Sequence, residues 1–197
     1  FQKRNILRLI NGIVVKQFAT PNVLRGIIYG TLSKSKAQRS YEYALRMKEL
    51  TPTPIAYREI HICGILRESW YACSKSECQH TFNELIGRPD FPNRETILTA
   101  IGQFTAKLHK RHILHQDYSG GNILFNKEGT KIEVIDLNRV RFCSSLTHKK
   151  RLQNFERLNI DREALRTIAT AYAIAMGEDP NTTAEYIIAH RWKKHIK

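Results

Sequence analysis

Asp117 and Asn122 flank a loop of small and polar residues, His115-Gln116-Asp117-Tyr118-Ser119-Gly120-Gly121-Asn122, and a second aspartate, Asp136, follows Ile132-Glu133-Val134-Ile135. These residue types suit phosphoryl transfer. Its loose transition state spreads charge over the phosphoryl oxygens, so the protein's task is metal clamping, positioning and electrostatic stabilisation. Asp117 would accept or orient the proton of an acceptor hydroxyl as the catalytic base. Asn122 would reach a Mg²⁺ ion across the glycine-bearing loop, and Asp136 would hold the ion that bridges the phosphates of ATP. Mg²⁺ takes hard oxygen ligands and leaves positions for phosphate and water, which matches an amide oxygen and a carboxylate.

An Asp-to-Asn spacing of five residues is common and says little alone. The specific signal is the combination of His-x-Asp-x-x-x-x-Asn, a short strand at Ile123-Leu124-Phe125, a turn at Lys127-Glu128-Gly129 and a strand delivering Asp136. The competing explanation is a plain β-hairpin whose loop polars only satisfy one another.

Other elements must position these groups. Asn5 to Ile10 and Ile13 to Phe18 are β-prone runs joined by Asn11-Gly12, a strong hairpin signal because both turn residues tolerate positive φ. Ile13-Val14-Val15-Lys16 resembles the kinase strand whose lysine reaches the α- and β-phosphates and pairs with a helix glutamate, which makes Lys16 the candidate nucleotide lysine. An ordinary solvent-facing strand lysine is the alternative. Ser35 to Leu50 is rich in helix formers and stops before Thr51-Pro52-Thr53-Pro54. It carries Glu42, the expected partner of Lys16, and Glu49 as competitor. Either would otherwise be a surface charge pairing with nearby Lys or Arg. A phosphate-covering glycine-rich loop is expected before the first strand and is absent from the sequence given.

Downstream, Ile55 to Ile60 and Ile65 to Cys73 read as strands, with Ser74 to Glu77 as a hinge whose backbone would meet adenine. Asn93 is expected to cap a helix carrying Ile97, Ile101, Phe104 and Leu108. Asn159 is expected to cap another that presents Ile160, Ala164, Ile168 and Tyr172 and stops at Gly177. Thr182-x-x-Glu185 looks like a capping box opening a last helix toward Lys197. Strands first and helices later predict an α+β protein of two lobes, with a small antiparallel sheet over residues 1–73 and a hinge and helical lobe over 74–197.

The 197 residues suffice for one such domain, and 42% apolar content can build a core. No run reaches the roughly 18–20 apolar residues of a membrane span. Cys63, Cys73, Cys78 and Cys143 form no Cys-x-x-Cys pair and read as reduced thiols. His109, His112 and His115 stand three apart, but no Cys or acidic set accompanies them, and His115 belongs to the loop motif in a structural role.

His-Gln-Asp-Tyr-Ser-Gly-Gly-Asn-Ile-Leu-Phe, Val134-Ile135-Asp136-Leu137-Asn138-Arg139 and Val14-Val15-Lys16-Gln17-Phe18 together resemble the bacterial lipopolysaccharide core kinases, the Kdo and heptose kinase (WaaP/InaA-like) family. The resemblance implies a protein-kinase-like fold and transfer of the ATP γ-phosphate to a sugar hydroxyl of lipid A–core at the cytoplasmic face of the inner membrane. It makes Asp117 the base, Asn122 and Asp136 the metal ligands, and Lys16 the phosphate lysine. Gln116 stands where many protein kinases carry an arginine, Asp136-Leu137-Asn138 replaces Asp-Phe-Gly, and no Ala-Pro-Glu follows. A sugar or other small hydroxyl acceptor is therefore favoured over a peptide.

Charge agrees with an anionic partner. Thirty-two Lys and Arg against 18 Asp and Glu give +14 and a pI near 9.8, with clusters at Lys34 to Arg39, Lys149 to Arg151 and Arg191 to Lys197. An acidic glycolipid at an anionic membrane surface fits this, and peripheral association is expected. The terminal helix, with Ile188, Trp192 and Ile196 opposite Lys193, Lys194 and Lys197, is one element that would lie on lipid. Nucleic acid is the competing partner, but no nucleic-acid motif accompanies the charge. Two other functions stay open: an aminoglycoside- or choline-type phosphotransferase, and a noncatalytic pseudokinase or anionic-surface binding module.

Overall fold

Asn11 and Gly12 both take positive φ, 48° and 77°, and make the two-residue turn joining β1 (Ile6–Ile10) to β2 (Ile13–Gln17). That is the left-handed backbone an Asn-Gly hairpin selects. β2 also pairs with β4 (Ile65–Ser74), and β4 with β3 (Pro54–Ile62), giving an antiparallel sheet of order β1-β2-β4-β3. Lys16 sits opposite Leu7 on one side and Tyr71 on the other. The computed structural model describes residues 4–193, in two compact units: 4–76 together with 136–138, and 77–135 together with 139–193. The N-terminal tripeptide, the expected lipid-facing residues Lys194, Ile196 and Lys197, and the side chains of Trp192 and Lys193 lie outside what is described.

Two helices accompany the sheet. α1 (Val23–Thr31) has no counterpart in the sequence reading, because its β-branched residues and two glycines disfavour a helix. Asn22 starts it, its side chain accepting from the Arg25 N–H at 3.0 Å. α2 (Lys36–Met47) is capped by Ser35, whose hydroxyl accepts from Gln38 N–H at 3.1 Å, and turns its Ala37, Ser40, Ala44 and Met47 face inward. Thr51 and Pro52 then end the helical path, as Pro requires.

The second unit is mostly helical. α3 (Arg94–Lys110) crosses α5 (Arg162–Met176) so closely at Gly102 that a Cβ there would lie 2.3 Å from the Ile168 carbonyl oxygen. α6 (Pro180–Lys193) packs on α5, and α4 (His148–Gln153) precedes a 3-10 turn at Asn154–Arg157. Three short strands, β5 (His80–Thr81), β7 (Ile123–Phe125) and β8 (Ile132–Val134), form one sheet, while β6 (Ile113–His115) pairs with β9 (Val140–Phe142). Phe82, Phe125, Phe155, Leu165 and Tyr172 are among its fully buried side chains.

Three expected caps are corrected. Asn93 precedes α3 in a left-handed conformation, and its side chain donates to the Lys127 carbonyl instead of receiving a helix N–H. Asp161, not Asn159, caps α5, because its carboxylate reaches Ala164 N–H at 2.8 Å from the helix's true first turn. Asp179 caps α6 by accepting from Thr182 N–H at 2.8 Å, and Pro180 occupies the first helical position, where its missing N–H costs nothing. Thr182 therefore lies inside the helix, and Glu185 pairs with Arg166. Among the described residues no helix is long and apolar enough to cross a membrane.

Candidate active site

The loop from His115 to Asn122 holds itself in shape. Ser119 N–H donates to the Asp117 carbonyl at 2.8 Å and Asn122 N–H to the Ser119 carbonyl at 2.9 Å, closing the 3-10 turn Gly120–Asn122. The Asn122 side-chain amide donates to the Asp117 carbonyl at 2.9 Å and to Ser119 Oγ at 3.3 Å. Its nitrogen is thus used inside the loop, which leaves the amide oxygen as the atom suited to a hard cation.

Buried groups anchor both flanks. Tyr118 is fully buried; Thr105 spends its hydroxyl proton on the Ile101 carbonyl, so Tyr118 donates to Thr105 Oγ1 at 2.7 Å. Burial pushes the Tyr118 hydroxyl far above the usual phenol range. His115 Nε2–H donates to the Ile135 carbonyl at 3.0 Å, and Ile135 N–H donates to the Asn122 carbonyl at 3.0 Å. The residue before Asp136 is therefore tied to both ends of the loop motif.

A polar relay supports His115 from behind. Asn154 Nδ2 donates to the His115 carbonyl at 3.0 Å, while Asn154 Oδ1 accepts from His109 Nε2–H at 3.1 Å. That leaves His109 Nδ1 to accept from the Tyr172 hydroxyl at 3.0 Å, and Tyr172 accepts from Arg151 at 3.2 Å. The ring must be neutral for this arrangement, and burial lowers the His109 pKa to about 4. His109 and Asn154 carried no sequence signal: a buried histidine on α3 reads like any core residue until its partners are known.

Asp117 faces two guanidinium groups. Arg157 Nη1 donates to its Oδ1 at 2.5 Å, and Arg139 lies 3.9 Å from Oδ2. Beside it, Gln116, Arg141, Lys150, Asn154, Glu156 and Arg157 line a cavity of about 350 Å³. The one carboxylate there, Glu156, lies 3.1 Å from His190 of α6 and is outnumbered by Arg141, Lys150 and Arg157, so the cavity keeps a cationic character. Sequence reading passed over Arg157 because it lies forty residues from Asp117 and belongs to no motif.

The first unit holds the other predicted residues. Lys16 Nζ meets Asp136 Oδ1 at 2.9 Å, with the lysine side chain only 15% exposed. Asn138 Nδ2 donates to the same carboxylate oxygen at 2.9 Å, and Ser40 Oγ lies 3.3 Å from Asn138 Oδ1. Asp136 adopts φ of 57°, a left-handed backbone that aspartate tolerates better than most side chains and that is enriched at functional sites. Its carboxylate suits Mg²⁺ as a hard donor.

Glu42 does not meet Lys16. It lies on the opposite face of α2 from Ser40, where Lys34 pairs with it at 2.5 Å and Gln38 donates to it at 3.0 Å. At 100° per residue, two positions along the helix turn a side chain by about 200°, so Ser40, and not Glu42, is the α2 residue that faces Asp136-Leu137-Asn138. The chain also departs here from the lysine–glutamate pair expected of kinases: Lys16 is neutralised by Asp136. No cluster of three or more His, Cys, Asp or Glu able to hold a metal occurs among the described residues.

Residues 77–175, which include Asp117, Asn122 and Asp136 but not Lys16 or Glu42, match the model of the lipopolysaccharide kinase (Kdo/WaaP) family. Among solved structures, the bifunctional kinase-methyltransferase WbdD superposes with a TM-score of 0.58 over 96% of this chain at 13% identity, a likeness of fold. The chain spans 42% of the length of that enzyme. No curated protein matches it in sequence.

Proposed function

Because the chain belongs to the lipopolysaccharide kinase (Kdo/WaaP) family, we propose that it transfers the γ-phosphate of ATP to a sugar hydroxyl of the lipopolysaccharide inner core, a Kdo or a heptose, at the cytoplasmic face of the inner membrane. The observation that carries this reading is the Asp117 carboxylate, presented by a self-bonded loop and held by Arg157, a residue that lines a cationic cavity of about 350 Å³. A carboxylate there takes the proton of the attacking hydroxyl as its oxygen bonds to the γ-phosphorus. The bond to the β–γ bridging oxygen breaks and ADP leaves.

Asn122 and Asp136 would hold Mg²⁺, which when bound neutralises the phosphate charge that would otherwise repel the nucleophile. Lys16 orients Asp136 before substrate binds and moves to the α- and β-phosphates when they arrive. Arg157 fixes the orientation of the Asp117 carboxylate, and its exposed guanidinium can exchange that partner for an oxygen of the donor or acceptor. The cations Arg141, Lys150 and Arg157 suit an acceptor bearing carboxylate or phosphate groups, which favours an acidic core sugar over a neutral alcohol.

The test is Mg²⁺-dependent transfer of labelled γ-phosphate by the full-length protein to purified lipid A–core, with kanamycin, choline and a generic protein substrate in parallel. Label in the glycolipid that disappears in Asp117→Ala establishes the proposed reaction. Label in kanamycin or choline moves the assignment to a small-molecule phosphotransferase, and label nowhere overturns the enzymatic reading.

A further inference from the structure

α1 is packed inside out. It meets β4 and the turn before it through Gly26 and Gly30: a Cβ at Gly26 would lie 2.8 Å from the Leu66 carbonyl oxygen, and one at Gly30 would lie 1.9 Å from that of Gly64. The two glycines let the helix backbone lie directly on the sheet. Its aliphatic residues consequently point away: Leu24 is 68% exposed and Leu32 82%, with Val23, Ile27 and Ile28 also exposed. Leu24, Ile27, Ile28 and Leu32 follow i, i+3, i+4, i+8 spacing and so form one continuous stripe. Scattered surface leucines need no explanation, but a helix that buries glycine and presents an aliphatic stripe to water marks an interaction surface.

The charge around the stripe selects the partner. Residues 1–41 contain eight Lys and Arg and not one Asp or Glu. Beside α1, Asn22, Arg25, Tyr29 and Lys36 help line a polar cavity of about 250 Å³, large enough for a phosphate head group. An apolar stripe whose charged neighbours along the chain are only cations, Lys34 among them already paired with Glu42, suits a helix that lies in the interface of an anionic bilayer, aliphatic side chains among the acyl chains and Arg25 and Lys36 among the phosphates.

We propose that the outward face of α1, Leu24, Ile27, Ile28 and Leu32 with Arg25 and Lys36 beside it, docks the protein onto an anionic lipid surface. The choice of a bilayer over another partner rests on the lipid-linked acceptor proposed above. A docked α1 would make transfer to a membrane-embedded sugar a reaction in two dimensions, with the acceptor concentrated near the enzyme.

The full-length protein is sedimented with vesicles of phosphatidylethanolamine and phosphatidylglycerol, and separately with phosphatidylcholine vesicles. Binding is expected to the anionic vesicles, to weaken with salt, and to fall roughly tenfold or more in Leu24→Ser/Ile28→Ser, while Leu24→Met/Ile28→Leu retains it. Both positions are exposed, so melting temperature and transfer to a soluble sugar acceptor should stay at wild-type level. Should the serine variant lose its fold, Leu24→Trp supplies the answer: its emission should shift to the blue on adding anionic vesicles. Absence of binding, equal binding by the serine variant, an unshifted tryptophan, or self-association that the serine variant abolishes would each overturn the proposal. Failure of the kinase reading would show separately, as absent phosphoryl transfer by a protein that still binds vesicles.

Discussion

Arg157 donates to Asp117 Oδ1 at 2.5 Å from a 3-10 turn that also supplies Asn154, the residue holding the His115 carbonyl. One short segment after α4 therefore holds both the candidate base and the end of β6, the strand that leads into its loop. Replacing Arg157 by Ala should lower kcat by roughly ten- to a hundredfold, with little change in KM for ATP. Arg157→Lys should recover only part, because a single ammonium cannot reproduce the planar fork. Steady-state transfer kinetics on the three proteins decide it, and an unchanged kcat in the alanine variant would remove Arg157 from the mechanism.

Asp117 and Asp136 should separate in their effects. Asp117→Ala is expected to abolish transfer while Mg-ATP still binds, whereas Asp136→Ala should weaken Mg-ATP binding itself, as read by calorimetry. Wild-type turnover in Asp117→Ala would sink the assignment of the base.

Ser40 and Glu42 make a paired test of α2. Glu42 joins a surface pair with Lys34 and a bond from Gln38, so Glu42→Ala should cost well under about 1 kcal/mol and leave ATP affinity within about twofold. Ser40→Ala removes a buried hydroxyl beside Asn138, which itself holds Asp136. The Lys36 carbonyl takes that hydroxyl's one proton at 2.9 Å and Asn138 Oδ1 shares it at 3.3 Å, so KM for ATP should rise about two- to threefold, less than a full hydrogen bond would give. The opposite ranking would restore Glu42 as the helix residue that matters for nucleotide binding.

His109 makes stability depend on pH in a defined direction. Its ring titrates near 6.5 in an unfolded chain and, lowered by burial, near 4 in the fold. The unfolded state therefore binds a proton first, and the stability His109 contributes is full above pH 6.5 and lost as pH falls toward 4. The loss is on the order of 3 kcal/mol. Urea midpoints measured across that window should drop with acid in wild type and drop less in His109→Gln.

Gly120 and Gly121 are neighbours with different tolerances. A Cβ at Gly120 would lie 2.2 Å from Asn83 Oδ1 and 3.0 Å from the Phe82 ring, whereas one at Gly121 would find its nearest atom at 3.6 Å. Gly120→Ala should lower both melting temperature and kcat by shifting the catalytic loop, and Gly121→Ala should be close to wild type. Indistinguishable variants would mean the loop adapts freely.

The residues that act through local chemistry were readable in the chain itself. Asn11-Gly12 specifies its hairpin through backbone preference alone, Ser35 caps α2 across three residues, and the loop and two short strands between His115 and Asp136 follow from the glycines and apolar runs there. The strand that carries Lys16 followed from its β-branched run for the same reason. Long-range pairing decided the rest. Arg157 meets Asp117 across forty positions, and Asn154 and His109 reach His115 through hydrogen bonds that no periodicity encodes. Glu42 stood out along the sequence by its charge, yet the rotation of α2 against the sheet pairs it with Lys34 and turns Ser40, which the sequence did not mark, toward Asn138. α1 makes the contrast clearest: its two glycines lower helix propensity in the isolated chain, and only packing against β4, where no Cβ fits, makes that stretch a helix and turns its aliphatic side chains outward.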